Sequence, residues 1–188
     1  MVALGEGLET QFWRLDNGRM QWVTVDLPET LKPRQQTAAR WSQATQPRRI
    51  CAGQRLAGPA GPAQPVLVTA QGLLPYFRRE QVHELIAAIA RRLPSGSLVF
   101  DVVPERMLQM LRRLPDRESA QANRLWSWVF NTEDREAISA IPGVTSVHDL
   151  TPPLPLGVAP LVLAGVRRLP RRMRYALPVG PVLEVTFR

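Results

Sequence analysis

A glycine turn near the start of the chain places the strongest constraint on its fold. The short apolar run Val2–Leu4 leads into Gly5-Glu6-Gly7, and a second apolar run ends on Asp26. In doubly wound α/β sheets, glycines after the first strand let the backbone approach a ligand, and an acid ending the second strand accepts hydrogen bonds from ribose hydroxyls. The order of these pieces therefore predicts half of a nucleotide-binding site.

The composition indicates a folded protein with a sizeable core. The chain has 188 residues, of which 45% are hydrophobic and five are Trp, and this length suits one domain. Its formal charge of +8 comes almost entirely from Arg, because Lys32 is the only lysine. The charge is compatible with an anionic partner, but the base composition of the coding DNA explains it equally well, and we favour this second interpretation.

Several classes of site and location are not indicated. Cys51 is the only cysteine, so no disulfide framework or cysteine-based metal site is expected, and no other metal site is predicted. Neither end carries a charged-then-apolar export signal, and no uninterrupted apolar run approaches the ~20 residues of a membrane span. The sequence therefore predicts a soluble cytoplasmic protein without membrane contact.

Strand and helix signals alternate along the first half of the chain. The apolar run 66–70 is typical of a strand buried on both faces and ends at Gln71. A helical repeat of apolar residues follows over 78–92, and the next strand is predicted over 98–103. This alternation of strands and helices predicts a parallel sheet. Gln71 is expected to face the same crevice as the glycine turn, because ligands bind outside the carboxyl ends of the strands.

The second half of the chain is less regular. Helices are predicted over 105–114, 132–140 and 157–169, strands over 144–150 and 182–187, a polar connection over 116–123 and a basic segment over 167–174. A Gly/Pro-rich surface loop is predicted earlier, over 53–65. We expect a single domain over residues 1–188, in which 1–104 form a cofactor-binding half and 105–188 a substrate-side half.

Three motifs in the first half occur in the order LGEGLETQFWRLDNGRMQWVTVDLPE, VLVTAQGLLPYF and LPSGSLVFDVVP. Together they resemble the class I S-adenosylmethionine-dependent methyltransferases of the leucine carboxyl methyltransferase group, which includes the tetracenomycin-type O-methyltransferases of polyketide biosynthesis. The resemblance is strong over residues 2–104 and loose beyond. It implies an α/β, Rossmann-like, doubly wound and mostly parallel sheet of seven strands, whose last strand, 182–187, runs antiparallel.

The resemblance also implies a cofactor, a reaction and a site. The cofactor is S-adenosyl-L-methionine, and the reaction transfers its methyl group to a carboxylate or hydroxyl of a small molecule, polyketide-type or similar. Carried over by position, the cofactor-binding residues are Gly5, Glu6 and Gly7 at the methionine part, Asp26 at the ribose, and Gln71, where many members have Glu. A carboxylate acceptor needs no general base, and no catalytic residue is assigned. Asp101 is interpreted as a strand-end residue satisfied by backbone donors, and this interpretation is favoured over a catalytic role.

The sequence departs from the family pattern in three ways. Members commonly place an acid just after the third strand to hold the adenine amino group, whereas residues 51–54 (CAGQ) contain none. The helix that often follows is replaced by the Gly/Pro-rich loop. The first strand and the N-terminal helices that cover the substrate are cut short, so we expect an N-terminally truncated sequence or a late start.

Other interpretations remain open at each site. The glycines also suit a plain strand-to-helix turn, Asp26 also suits capping of the next helix, and Gln71 also suits a polar strand end. Among other residues, His83 is expected to be solvated on an exposed helical face, and Trp126 and Trp128 to pack in the core or a lid. No oligomeric state is predicted.

Two other functions compete with the enzyme. The alternative is a truncated, catalytically silent methyltransferase remnant that acts as a binding or interaction module. A nucleic-acid binder ranks last, because its basic cluster contains one neighbouring aromatic, Tyr175, for base stacking. That cluster consists of Arg167, Arg168, Arg171, Arg172 and Arg174.

Overall fold

The computed structural model describes residues 1–41, 49–52, 65–93, 95–111, 126–150 and 181–188. Four predicted features lie outside these residues, wholly or nearly so. They are the Gly/Pro-rich loop 53–65 apart from its last residue, the polar connection 116–123, the helix 157–169 and the arginine cluster of 167–174.

The described residues form seven strands, five α-helices and one 3₁₀ turn. The strands are β1 (Val2–Leu4), β2 (Val23–Asp26), β3 (Arg49–Ala52), β4 (Val66–Ala70), β5 (Gly96–Asp101), β6 (Val144–Leu150) and β7 (Val182–Phe187). The helices are α1 (Gln11–Leu15), α2 (Pro28–Trp41), α3 (Arg79–Arg92), α4 (Glu105–Leu111) and α5 (Thr132–Ser139), and a 3₁₀ turn spans Leu74–Tyr76. In the part of the chain that is described, no helix combines the length and the apolar character needed to cross a bilayer.

All seven strands belong to one sheet in the order β3-β2-β1-β4-β5-β7-β6. The pairs among β1 to β5 are parallel, and β7 pairs antiparallel with both β5 and β6. The prediction of a Rossmann-like, mostly parallel sheet with an antiparallel last strand is therefore confirmed. The chain runs outward from β1 to β3 and then returns to β4, so the strand order reverses between β1 and β4, where such sheets open a crevice.

The main core lies between the central strands and α3. Leu98 and Phe100 of β5 and Leu183 and Val185 of β7 are fully buried, because alternate residues of a strand point to the same face. The helix contributes the stripe that its spacing predicts, since Val82, Ile86 and Ile89 are buried against these strands.

A smaller aromatic core covers the opposite face of β1. Ala3 points away from its neighbour Leu4, which belongs to the main core, and packs with Phe12 of α1 and Trp22. The two aromatic rings meet edge to face, with their centroids 5.6 Å apart, a favoured geometry for aromatic pairs. This contact holds α1 beside the turn that follows β1.

A buried carboxylate connects α3 to α5. Asp134 is fully buried and accepts hydrogen bonds from Nε1 of Trp128 at 3.2 Å and from the backbone N–H of Asn131 at 2.9 Å. Arg79 forms an ion pair with it at 3.1 Å, and Nε2 of His83 lies 3.8 Å away. The expectation that His83 is simply solvated is therefore corrected, because the helical face it shares with Arg79 meets a buried acid that sequence spacing did not reveal.

The pairing of β4 with β5 requires glycine at position 96. There φ is +149°, and an added Cβ would lie 1.9 Å from the backbone carbonyl oxygen of Val66. We expect Gly96→Ala to lower the free energy of unfolding by about 3–5 kcal/mol, because paired backbone cannot move aside. Urea denaturation measures the loss. The control is Gly18→Ala, where φ is +74° but the space is open, with an expected cost of about 1 kcal/mol. Equal losses would contradict the steric argument.

Candidate functional site

The topology brings the five predicted cofactor-binding residues to one edge of the sheet. Gly5, Glu6 and Gly7 directly follow β1, Asp26 ends β2, and Gln71 directly follows β4. These are the carboxyl ends of mutually parallel strands, and they flank the point where the strand order reverses. The crevice between β1 and β4 is therefore the candidate site.

The turn after β1 adopts a conformation that favours glycine. Gly5 and Gly7 have φ values of +58° and +59°, in the left-handed region. The N–H of Gly5 donates to the carbonyl of Val25 at 2.8 Å, which extends the pairing of β1 with β2. A Cβ at Gly5 would lie 2.7 Å from Cδ1 of Leu73, so the turn packs directly against the side chain of Leu73 in the segment after β4.

Asp26 faces the glycine turn. Its Oδ2 accepts a hydrogen bond from the N–H of Gly7 at 2.7 Å, and its Oδ1 accepts one from the N–H of Leu27 at 2.8 Å. The carboxylate therefore fixes both the turn and the start of α2. A carboxylate has about four acceptor positions, so further positions remain for a ligand. The side chain of Leu27 beside it is 67% exposed.

Glu6 points away from the crevice into the protein. Its Oε2 accepts hydrogen bonds from Oγ1 of Thr24 at 2.8 Å and from Nε1 of Trp22 at 3.3 Å. Its Oε1 forms an ion pair with Nη2 of Arg34 at 2.7 Å, and both side chains are 2% exposed. Only the backbone of Glu6 is thus available to line the crevice.

Arg34 of α2 clamps the glycine turn and was missed by the sequence analysis. Its Nη1 donates to the carbonyls of Gly7 at 2.7 Å and Glu9 at 2.9 Å, and its guanidinium lies 5.2 Å from the ring centre of Trp13. A signal for it exists in the sequence. Arg34 is three residues after the buried Leu31, and a cation on the apolar face of a helix needs a partner.

Gln71 makes a contact from β4 to the β1 side of the crevice. Its Oε1 accepts a hydrogen bond at 2.6 Å from Nε2 of Gln11, the first residue of α1. The two residues are sixty positions apart, and both belong to segments that follow the strands flanking the reversal. Gln71 was predicted at this edge from the sequence, whereas Gln11 was not.

Two further carboxylates add negative charge at this edge. Asp101 ends β5, and its Oδ1 accepts the N–H of Gly72 at 2.6 Å, as the interpretation of a backbone-satisfied strand end predicts. Burial raises the pKa of Glu9 above its usual value, and the carboxylates of Glu6 and Asp101 raise it further. Arg14 and Arg34 act on the pKa of Glu9 in the opposite direction, so Asp26, Glu9 and Asp101 place three carboxylates at an edge that also has arginines nearby.

A cavity of about 290 Å³ lies beside the crevice, at the ends of β4 and β5. It is bordered by the turn after β4, by the end of β5, by α4 and by Trp126. Its lining includes Gly72, Pro75, Tyr76, Asp101, Met107 and Trp126. Trp126 thus lines an open space, whereas Trp128 is 2% exposed and packs in the core.

The architecture has known counterparts among solved structures. Magnesium protoporphyrin IX methyltransferase (ChlM) from Synechocystis PCC 6803, solved with bound SAH, matches with a TM-score of 0.59 and 12% identity over 100% of this chain and 73% of its own. The YcgJ protein of Bacillus subtilis matches with a TM-score of 0.59 and 14% identity over 100% of this chain and 91% of its own. The fold is that of the class I S-adenosylmethionine-dependent methyltransferases.

A sequence match makes the relationship more specific. The chain is 28% identical over 114 residues to TcmP, the O-methyltransferase of tetracenomycin polyketide synthesis from Streptomyces glaucescens. This confirms the resemblance to tetracenomycin-type O-methyltransferases. The match covers 55% of this chain but 38% of TcmP, so it spans well under half of that relative. No family model matches the chain.

Removing Arg34 tests the clamp. We expect Arg34→Met to lower the free energy of unfolding by about 3–5 kcal/mol, because Glu6 would remain buried without its counter-charge. The double variant Glu6→Gln with Arg34→Met should recover the part of that loss due to the unpaired carboxylate, but not the part due to the hydrogen bonds to the carbonyls of Gly7 and Glu9. Arg14→Met, at an exposed arginine of α1, is the control and should stay within about 0.5 kcal/mol of the parent. Guanidinium denaturation measures all of these, and a double variant no better than Arg34→Met would contradict the ion-pair argument.

The raised pKa of Glu9 predicts a pH-dependent effect. A carboxyl whose folded pKa lies above its ordinary value favours the folded state least when ionised, so stability falls as pH rises through that interval. Glu9→Gln should therefore raise the melting temperature at pH 7 and leave it unchanged below pH 4.5, the ordinary value for glutamate. Scanning calorimetry at both pH values measures the shift. Glu136→Gln, on the exposed face of α5, is the matched control, and a larger gain at the acidic pH would contradict the assignment.

Proposed function

We propose that this chain binds S-adenosyl-L-methionine in the crevice between β1 and β4 and transfers its methyl group to an oxygen of a small molecule. The observation that carries the proposal is the position of the Asp26 carboxylate, held against the N–H of Gly7 at the point where the strand order reverses. This is where doubly wound sheets bind nucleotide-containing ligands.

Each part of the cofactor finds a suitable group along the crevice. The remaining acceptor positions of Asp26 suit the two ribose hydroxyls, and the exposed side chain of Leu27 offers an apolar surface for the adenine ring. The left-handed glycines let the backbone of the turn approach the methionine part, and Gln71 faces it from β4. The surrounding carboxylates favour a ligand that carries a sulfonium and an amino cation.

The main task of the protein in this reaction is to align the acceptor oxygen with the methyl group of the cofactor. The cofactor supplies a methyl group that is already activated by its positive sulfur. Holding an acceptor oxygen in line with that methyl contributes up to roughly 7–11 kcal/mol to lowering the barrier when the geometry is right. In this chain the Arg34 clamp and Asp26 fix the cofactor side, because they hold the turn in one conformation before any ligand arrives.

The two halves of the chain divide this work in our proposal. Residues 1–104 hold the cofactor, and residues 105–188 contribute to the acceptor side, in line with the position of Met107 and Trp126 at the cavity. The acceptor is a small molecule with a carboxylate or hydroxyl group, of the polyketide type that the name of TcmP suggests.

Calorimetry with S-adenosylhomocysteine (SAH) tests the proposal. The parent chain should bind SAH, and Asp26→Ala should weaken binding by about 10- to 100-fold, because hydrogen bonds to a charged group are lost. Asp16→Ala is the matched control. It also removes a carboxylate that accepts a glycine N–H, that of Gly18 at 2.9 Å, but in the turn leading to β2, and it should leave the affinity unchanged.

Two outcomes of this calorimetry would contradict parts of the proposal. If the parent chain shows no heat with millimolar SAH, the proposed function is wrong, and the silent interaction module becomes the better hypothesis. If SAH binds equally well to the parent and to Asp26→Ala, the crevice binds the cofactor but the ribose assignment is wrong.

A further inference from the structure

We propose that the cavity beside the crevice binds an uncharged hydroxyaryl compound, and that Asp101 accepts the proton of its hydroxyl group during methyl transfer. The inference narrows the acceptor from carboxylate or hydroxyl to hydroxyl. It rests on the proposed function, which supplies the methyl donor.

The cavity has room for an aromatic acceptor. Its volume is about 290 Å³, while an engineered cavity of about 150 Å³ in another protein takes up benzene. One ring therefore fits with room to spare, and the remaining volume accepts a second fused ring. The value also falls near the lower end of the range for small-molecule pockets.

The walls of the cavity suit a flat apolar ring. Pro75 and Tyr76 of the 3₁₀ turn, Met107 of α4 and Trp126 contribute apolar and aromatic surface around it. Aromatic rings stack on such surfaces, and thioether sulfur makes favourable contacts with them. Among the described residues that line the cavity, none carries a cationic side chain, so nothing there would neutralise an anionic acceptor.

Asp101 is the single charged group in that described lining, and it is held in place. Its Oδ1 accepts the N–H of Gly72 at 2.6 Å, and the described residues give no hydrogen bond to its Oδ2. The carboxylate therefore has a fixed orientation and an oxygen still available to a ligand. Gly72, which donates this hydrogen bond and lines the cavity, directly follows Gln71 of the crevice, so the cavity and the proposed cofactor crevice are adjacent.

The chemistry of the step balances with these groups alone. The hydroxyl oxygen forms a bond to the methyl carbon while the methyl-to-sulfur bond breaks, and the sulfur keeps the bonding pair. The hydroxyl proton passes to Oδ2 of Asp101. The products are a methyl ether, the neutral thioether SAH and a protonated Asp101, which returns its proton to water. A positioned base of this kind contributes about 100- to 10,000-fold to rate.

The same carboxylate disfavours a carboxylate acceptor. An anionic acceptor in the cavity would lie against Asp101 without a counter-charge in the described lining. Even partly screened, such a contact between like charges lowers binding by roughly tenfold or more. Asp101 therefore selects between the two acceptor classes as well as accepting the proton.

A matched pair of probes tests the selection. 2-Naphthol and 2-naphthoate have the same fused rings and differ in the acceptor group. With S-adenosyl-L-methionine, the full chain should methylate 2-naphthol with a kcat/KM at least about tenfold above that for 2-naphthoate, measured by mass spectrometry of the products. Calorimetry should show that 2-naphthol binds to the SAH-loaded protein.

Asp101→Asn separates the role in proton transfer from a role in folding, because the amide oxygen can still accept the N–H of Gly72. We expect this variant to bind SAH as the parent does, to lose about 100-fold or more in kcat for 2-naphthol, and to gain activity on 2-naphthoate. Glu136→Gln makes the same chemical change on the exposed face of α5 and should alter neither activity.

Other outcomes would count against the inference. Preference of the parent for 2-naphthoate, or full 2-naphthol activity in Asp101→Asn, would overturn it. SAH binding without any 2-naphthol binding would overturn it while leaving the proposed function intact. Absence of SAH binding would overturn the proposed function itself, and this inference with it.

Discussion

The buried ion pair between Glu6 and Arg34 is the interaction on which the candidate site depends. The turn after β1 contains two glycines with positive φ, and such residues lose the most conformational freedom on folding. The guanidinium of Arg34 holds this turn in place by donating hydrogen bonds to the carbonyls of Gly7 and Glu9. Burying two charges is costly unless their hydrogen-bonding groups are satisfied. Here Trp22 and Thr24 also donate to Glu6, so the pair is fixed to the adjacent β2 region.

This arrangement explains how a basic chain presents carboxylates at its crevice. Consecutive residues of one turn point in opposite directions: the Glu6 carboxylate enters the interior, where Arg34 neutralises it, and the N–H of Gly7 faces Asp26 at the edge of the sheet. The carboxylates of Asp26 and Asp101 remain at the edge. Each is oriented by a hydrogen bond from a glycine N–H and not by an arginine. Backbone donors orient these two carboxylates without cancelling their charge.

The sequence predicted the sheet and the edge at which the site lies, because their signals are local. The glycines, the acid at the end of β2 and the alternation of strand and helix are each readable within a few residues. The missed features depend on contacts between distant residues. Arg34 meets Gly7 twenty-seven positions away, Gln11 meets Gln71 sixty positions away, and Arg79 meets Asp134 fifty-five positions away. The charge on the buried side of α2 was a local signal for Arg34, but it did not identify the partner.

The pairing of β7 with β5 supports Asp101 on the acceptor side of the site. Because β7 lies between β5 and β6, β5 is paired along both edges, with β4 on one side and β7 on the other. Asp101 pairs with Val182 in that register, and the N–H of Val102 donates to Pro181 at 3.2 Å. A side chain at the end of a strand braced on both edges is positioned more accurately than one on a loop. The proposed roles of Asp26 and Asp101 therefore share one physical basis, a carboxylate at the end of a parallel strand that is aimed by backbone rather than by a counter-charge.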